Sequence, residues 1–276
     1  MLGFLSQRGH LSQFEIATDS AREHLSDLTA RCLFDGAVLP QGGMRKSQWV
    51  LLQYGDDAQG LIETFADRVG KYHDVKPPAQ PPPSVWCSWY YHGPTFYEEH
   101  LHEELAYLKE RPLPFDVILI DDSRPGRAWG DWYHHERWPA GMKDAADRIR
   151  KLGYRAGIWT CPFLAKTDSK LAEQHPEWLL RQDNGEPVLF KMDGTNYVLD
   201  TTYPGVLSFI EDLFRTMTGD WGFTYHKLDF LRSIYTNSEA RFYDPTATRL
   251  EAYERGLAAV RRGAGPDALR PIGRLA

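Results

Sequence analysis

Apolar residues along this chain change their spacing several times, and each change outlines a secondary-structure element. In residues 1–56, Phe14 and Ile16 alternate with polar neighbours, while Gly36 and residues 40–43 mark turns. Residues 49–52 read as a short buried strand. Residues 57–72 move to helical spacing, with Leu61, Ile62, Phe65 and Val69 on one face. The segment 77–83 (PPAQPPP) holds five prolines in seven positions, a composition that excludes helix and central strand and favours an extended connector. The expected organisation is a β-rich N-terminal segment closed by a helix (1–76), a proline-rich linker (77–83) and a larger domain (84–276).

Beyond the prolines, strands and helices alternate. Residues 85–91 form a β-branched and aromatic run, followed by a helix with Leu101, Leu105 and Leu108 on one side. Residues 115–121 (FDVILID) are the strongest strand, a continuous apolar run ending in acid. Met142, Ala145, Ala146, Ile149 and Leu152 mark a second helix stopped by Gly153, and residues 154–161 (YRAGIWTC) a third strand. A hairpin is expected over 179–190 around Asn184-Gly185. Val206, Leu207, Ile210, Leu213, Phe214 and Met217 give a third helix, residues 223–231 a fourth strand, and Leu250, Tyr253, Leu257 and Val260 a fourth helix. Four strand–helix units in a row imply an α/β fold with a parallel sheet, either a barrel or a doubly wound fold. Strand starts near 85, 115, 154 and 223 would need about 370 residues for eight units, whereas 193 residues run from Ser84 to position 276 and whole eight-stranded barrels begin at about 200. The tail 269–276 carries Pro271 and Gly273 and does not read as a further buried strand. The expected architecture is therefore a partial (β/α) TIM barrel of about four units.

Composition narrows the function classes. The 276 residues include 42% hydrophobic and 25% charged positions, as in ordinary globular proteins, and a net charge of −6 offers no attraction to nucleic acid or an anionic membrane. No apolar stretch reaches the 18 or more residues of a spanning helix, and the first residues lack a signal-peptide pattern. Cys32, Cys87 and Cys161 form neither a disulfide framework nor a zinc pattern, so the expected location is the cytoplasm.

Parallel α/β folds gather active groups at the carboxyl ends of their strands. Those ends carry Asp121-Asp122, then Trp159 and Cys161, then Lys227-Leu228-Asp229. Lys227 and Asp229 share one side of a strand, where a charge is paired or lines a wet site. A structural ion pair is the bland alternative, and an acid after a strand is often only a turn or cap residue. Eight of nine tryptophans follow the prolines; flat rings near carboxylates suit a sugar, though any one ring is more often packing. A metal reading rests on His100-Leu101-His102 and His134-His135-Glu136, but residues two apart on a helix do not share a face.

Taken together, eight segments in order resemble the melibiase-type α-galactosidases, the family 36 glycoside hydrolases. They are Trp86-Cys87-Ser88-Trp89-Tyr90, Ile118-Leu119-Ile120-Asp121-Asp122, Gly130-Asp131-Trp132, Gly141-Met142-Lys143, Gly157-Ile158-Trp159, His175-Pro176-Glu177-Trp178, Leu199-Asp200-Thr201-Thr202-Tyr203-Pro204 and Lys227-Leu228-Asp229-Phe230. The resemblance covers residues 84–265, and residues 1–76 look like the tail of the β-supersandwich that precedes the barrel in this family. It implies a retaining α-galactosidase with Asp229 as nucleophile, Lys227, Asp121 and Asp122 binding sugar hydroxyls, Trp159 as a pocket wall, and no metal or organic cofactor. Two departures stand out. Ser123-Arg124-Pro125-Gly126 replaces the usual Gly-Trp or Gly-Tyr after the aspartates, and the family's acid/base aspartate matches no residue here. Asp244 and Asp267 lie in no matching motif. The expectation is a fragment bearing the nucleophile, with exposed sheet edges prone to self-association. The alternatives are a sugar-binding or structural remnant without turnover, a related α-N-acetylgalactosaminidase or galactosyl transferase, and a metal-dependent hydrolase.

Overall fold

The computed structural model describes residues 1–21, 24–76, 81–122, 128–133 and 136–268. Residues 77–80 of the proline segment, Ser123 to Gly126, His134, His135, the Asp267 side chain and the 269–276 tail lie outside the described residues. The chain divides into two compact units, one from Met1–Pro77 with Pro245–Ala252, the other from Pro78–Asp244 with Tyr253–Ile272.

In the first unit, β1 (Leu2–Phe4) pairs antiparallel with the later strand Val50–Leu52, while β2 (Leu11–Thr18) and β3 (Leu25–Leu33) form a hairpin. The strand Val50–Leu52 is β4. It was expected to be buried, yet Trp49 is 68% and Leu52 71% exposed. A three-residue strand with one partner leaves its side chains uncovered, whatever their hydrophobicity. Helix α1 (Ala58–Tyr72) starts where Asp57 accepts the Gly60 amide at 3.0 Å, which satisfies one of the free amides of the first turn. Leu61, Phe65 and Val69 form its half-buried stripe, and Ile62 stays exposed. The Phe65 ring lies where a Cβ on Gly3 would sit, so only glycine fits there. A buried pair, Asp35 with Arg249 at 2.6 Å, ties this unit together.

The second unit is built on four parallel strands: β5 (Val85–Cys87), β6 (Val117–Ile120), β7 (Arg155–Thr160) and β12 (Tyr225–Leu228), adjacent in that order. All four residues of β6 are buried, as expected for a continuous apolar run covered on both faces. The run expected to continue as strand to residue 91 stops at Cys87; Ser88 opens a single helical turn, α2 (Trp89–His92). Helix α3 (Glu98–Glu110) buries Leu101, Leu105 and Leu108, and α4 (Gly141–Lys151) buries Met142, Ala145, Ala146 and Ile149 before Gly153 turns the chain at φ 89°. Gly157 on β7 lets the strands close up: a Cβ there would lie 3.0–3.2 Å from Val117, Tyr225 and Leu119.

Between β7 and β12 the chain makes an excursion longer than the hairpin expected over 179–190. Strand β8 (Leu164–Lys166), helix α5 (Lys170–Gln174), β9 (Arg181–Gln182), β10 (Leu189–Lys191) and β11 (Thr195–Val198) follow in order. The turn at Asn184-Gly185 forms, with Gly185 at φ 83° and the Gln182 amide donating to the Glu186 carbonyl. The arms of the expected hairpin pair antiparallel, Arg181 with Pro187 and the Val188 amide with the Leu180 carbonyl, while β10-β11-β8 form a three-stranded sheet and β9 also pairs with β13 (Ala240–Arg241). Helix α6 (Pro204–Arg215) buries Val206, Ile210, Leu213 and Phe214.

Helix α7 (Arg249–Ala268), of which residues 253–268 belong to this unit, is broken at Gly265 (φ 75°, ψ 172°) before Pro266, and ahead of the break it buries a stripe of small residues: Gly256, Ala259, Val260, Gly263 and Ala264. Leu257 and Tyr253, expected on the core face, are only half-buried. The reason is close approach, because a Cβ on Gly263 would lie 2.2 Å from the Glu211 carbonyl oxygen. No helix among the described residues is long and apolar enough to cross a membrane.

Candidate active site

The carboxyl ends of β6, β7 and β12 bring the residues singled out above together. Lys227 pairs in register with Trp159 on the central strand β7. Its ammonium reaches across to Asp121 at the end of β6, with Nζ donating to Oδ2 at 2.7 Å. The direct partner of Lys227 is therefore Asp121, a correction to the expectation that it stands as a pair with Asp229. Residues two apart do share a side, but the strand order decides which carboxylate faces the ammonium. Burial acts to lower the Lys227 pKa, and the hydrogen bond and charge of Asp121 outweigh it, holding the group above its usual 10.5.

Asp121 is 4% exposed and has its acceptor sites largely filled. Its Oδ2 also receives the Cys87 thiol at 3.2 Å, and its Oδ1 receives the Asp122 amide at 2.9 Å. The Ser88 hydroxyl accepts the Asp121 amide at 2.9 Å, which fixes the chain direction as the strand ends. Burial, then the Asp121 charge, push the Cys87 thiol up to about 11, so it stands as a protonated donor. The Trp129 indole donates to Asp122 Oδ1 at 3.2 Å, and the Lys166 ammonium from β8 lies 4.5 Å over the Trp129 ring.

Asp229 follows β12, with its amide donating to the Thr160 carbonyl at 2.9 Å, so the ladder to β7 runs one residue past the strand. Its Oδ2 accepts the Trp159 indole N–H at 3.1 Å and its Oδ1 the Phe230 amide at 2.8 Å. Phe230 takes a left-handed conformation at φ 52°, rare for a bulky residue and common near functional sites. Trp129, Trp159 and Phe230 form a ring cluster, with centroids 5.5–6.1 Å apart, and Trp132 joins it 6.3 Å from Trp159. Trp159 is 2% exposed, so what it offers the carboxylates is chiefly its N–H edge.

Cys87, Ser88, Trp129 and Lys166 were not singled out for roles from sequence. The Trp-Cys-Ser-Trp run and the Gly-Asp-Trp run were the available signals, since each borders a matched aspartate motif in space. Asp200, by contrast, is structural. It accepts the Thr202 hydroxyl and amide and the Tyr243 amide at 2.6–2.8 Å, and burial lifts its carboxyl above the ordinary range. Asp244 pairs with Arg255 at 2.7 Å. His100 Nδ1 accepts the Tyr97 amide and its ring packs beside His92, whereas His102 borders a separate hollow; the two do not converge. A larger hollow of about 850 Å³ lies away from the four charged groups, lined by Gly130, Tyr133, Lys170, His175 and Trp178 among others.

The chain as a whole has counterparts among known proteins. An α-galactosidase from Thermus thermophilus, solved in complex with p-nitrophenyl α-D-galactopyranoside, is 31% identical with a TM-score of 0.74; the match covers 96% of this chain and 48% of that one. The α-galactosidase of Escherichia coli is 30% identical over 148 residues, half of this chain and 20% of that protein. An A type blood α-D-galactosamine galactosaminidase from Flavonifractor plautii is 32% identical over 127 residues, or 42% and 12% of the two chains. The chain thus spans about half the length of the Thermus protein and a fifth of the Escherichia coli relative. The sequence model of the melibiase family matches residues 78–261, most of the second unit, and the chain belongs to that family.

Proposed function

We propose that this chain carries the nucleophile-bearing half of a retaining α-galactosidase site, acting on terminal α-galactosyl residues. The observation that carries the reading is the convergence of Asp121, Asp122, Lys227 and Asp229 at the ends of three adjacent parallel strands, with Lys227 bridging to Asp121 at 2.7 Å. The sequential order β5, β6, β7, β12 supports four consecutive strands of a (β/α) barrel, in which such ends face substrate. Family membership narrows the chemistry to the glycosidic bond.

In this reading Asp229 attacks the anomeric carbon to give a covalent glycosyl-enzyme, which water then hydrolyses. Asp121 keeps one accepting position on Oδ1 for a sugar hydroxyl, and Lys227 offers its remaining N–H donors. The second carboxyl group of a retaining site sits ~5–5.5 Å from the nucleophile and acts as acid and then base. In this reading none of the residues in the matched motifs takes that role. General acid catalysis typically contributes ~10²–10⁴-fold, so only galactosides with a good leaving group are turned over appreciably without it. Among the described residues β5 and β12 each have a strand on one side only, and in this reading such edges favour self-association.

The test is hydrolysis of an aryl α-galactoside by the full chain and by Asp229→Gly. Equal rates in the two proteins overturn the assignment. A second reading, galactose binding without turnover, is favoured by the preformed Lys227–Asp121 pair, which binds hydroxyls without an acid. Calorimetry with galactose on the wild-type chain and Asp122→Ala separates it: binding without hydrolysis supports it, and no binding removes both readings.

A further inference from the structure

Both oxygens of Asp229 are held by one N–H each, and the two donors differ in kind. The Phe230 amide on Oδ1 belongs to the next residue of the chain, but the Trp159 indole on Oδ2 comes from the neighbouring strand. Trp159 cannot swing away, because its ring is enclosed by Trp129, Trp132 and Phe230 at 5.7–6.3 Å and is 2% exposed. An N–H fixed in a buried site and aimed at a carboxylate binds the anion more strongly than the same group esterified.

We propose that Trp159 is a positioning residue for Asp229, and that its indole N–H sets how fast the glycosyl-enzyme breaks down. The inference rests on the glycosidase reading above. In the first step an Asp229 oxygen bonds to the anomeric carbon as the bond to the leaving aryl oxygen breaks, and the aryloxide departs with the electron pair. In the second, water oxygen bonds to that carbon and the carbon–oxygen bond to Asp229 breaks. The electron pair returns to the carboxylate, and the proton of water passes to solvent. Asp229 is the leaving group of the second step, so a donor that favours the anion accelerates it. The first step responds far less, since the donor lowers nucleophilicity while improving orientation. Losing a hydrogen bond to a charged group slows the dependent step by about tenfold or more.

The experiment mixes the full chain with dinitrophenyl α-galactoside, whose leaving group needs no acid, and follows the intact mass of the protein. In Trp159→Phe the decay of the galactosyl adduct slows about tenfold more than its formation does, relative to wild type. An adduct that decays at the wild-type rate overturns the proposal and leaves the glycosidase reading standing. A second measurement covers a variant that fails to fold: the indole ¹⁵N–¹H signal of Trp159 in the wild-type chain is compared with that in Asp229→Ala. A clear shift supports the hydrogen bond, and an unmoved signal overturns the proposal. A shifted signal with no adduct on wild type removes the glycosidase reading, and the role of Trp159 with it.

Discussion

Replacing Lys227 by methionine removes the charge that links β12 to β6 while keeping most of the side-chain stem. The size of the effect follows from two limits. An exposed ion pair contributes about 0–1 kcal/mol, whereas removing one partner of a fully buried pair costs about 3–5 kcal/mol. Asp121 is sealed at 4% exposure, but the Lys227 side chain is 34% exposed and screened by water. Asp121 also keeps the Cys87 thiol and the Asp122 amide after the change. An intermediate loss of about 2 kcal/mol is therefore expected. A double-mutant cycle with Asp121→Asn, followed by urea unfolding and tryptophan fluorescence, isolates the pairwise part. Because the Lys227 pKa is raised in the folded chain, its contribution is fully present below about 10.5 and fades as pH rises further, so the gap between wild type and Lys227→Met closes in strong alkali. A coupling energy below about 0.5 kcal/mol, within the scatter of independent sites, refutes the view that this pair organises the site.

Three further outcomes are expected. His226 is buried and held down to about 4 from 6.5 by desolvation, so the unfolded chain binds more protons in that window and stability falls as pH drops from 6.5 to 4. Unfolding free energy should fall there by up to about 3 kcal/mol, and a flat profile counts against a neutral buried imidazole. Gly263→Ala places a Cβ 2.2 Å from the Glu211 carbonyl oxygen, backbone that cannot rotate aside, and should cost about 1–3 kcal/mol in denaturant unfolding. Cys87, with its thiol pushed up to about 11, should react with iodoacetamide slowly at neutral pH and about tenfold faster for each added pH unit until that value. Rapid, pH-independent alkylation of Cys87 contradicts its role as donor to Asp121.

Segments whose burial follows a local period were legible in the sequence itself. The FDVILID run gives the fully buried β6, and Leu101, Leu105 and Leu108 give the core face of α3, because backbone geometry alone puts those side chains on one side. The order of motifs along the chain likewise placed Asp121, Asp122, Lys227 and Asp229 at strand ends. Which partner each charge takes was not legible. The two-residue spacing joins Lys227 to Asp229, yet the register of β12 on β7 and of β7 on β6 turns the ammonium toward Asp121 and leaves Asp229 to the Trp159 indole. Long-range packing also chose small residues over Leu257 for the core side of α7, since α6 comes too close for a larger side chain at Gly263. Local patterning determines which face of an element is apolar; only the assembled neighbours decide how near they come and which polar group meets which charge.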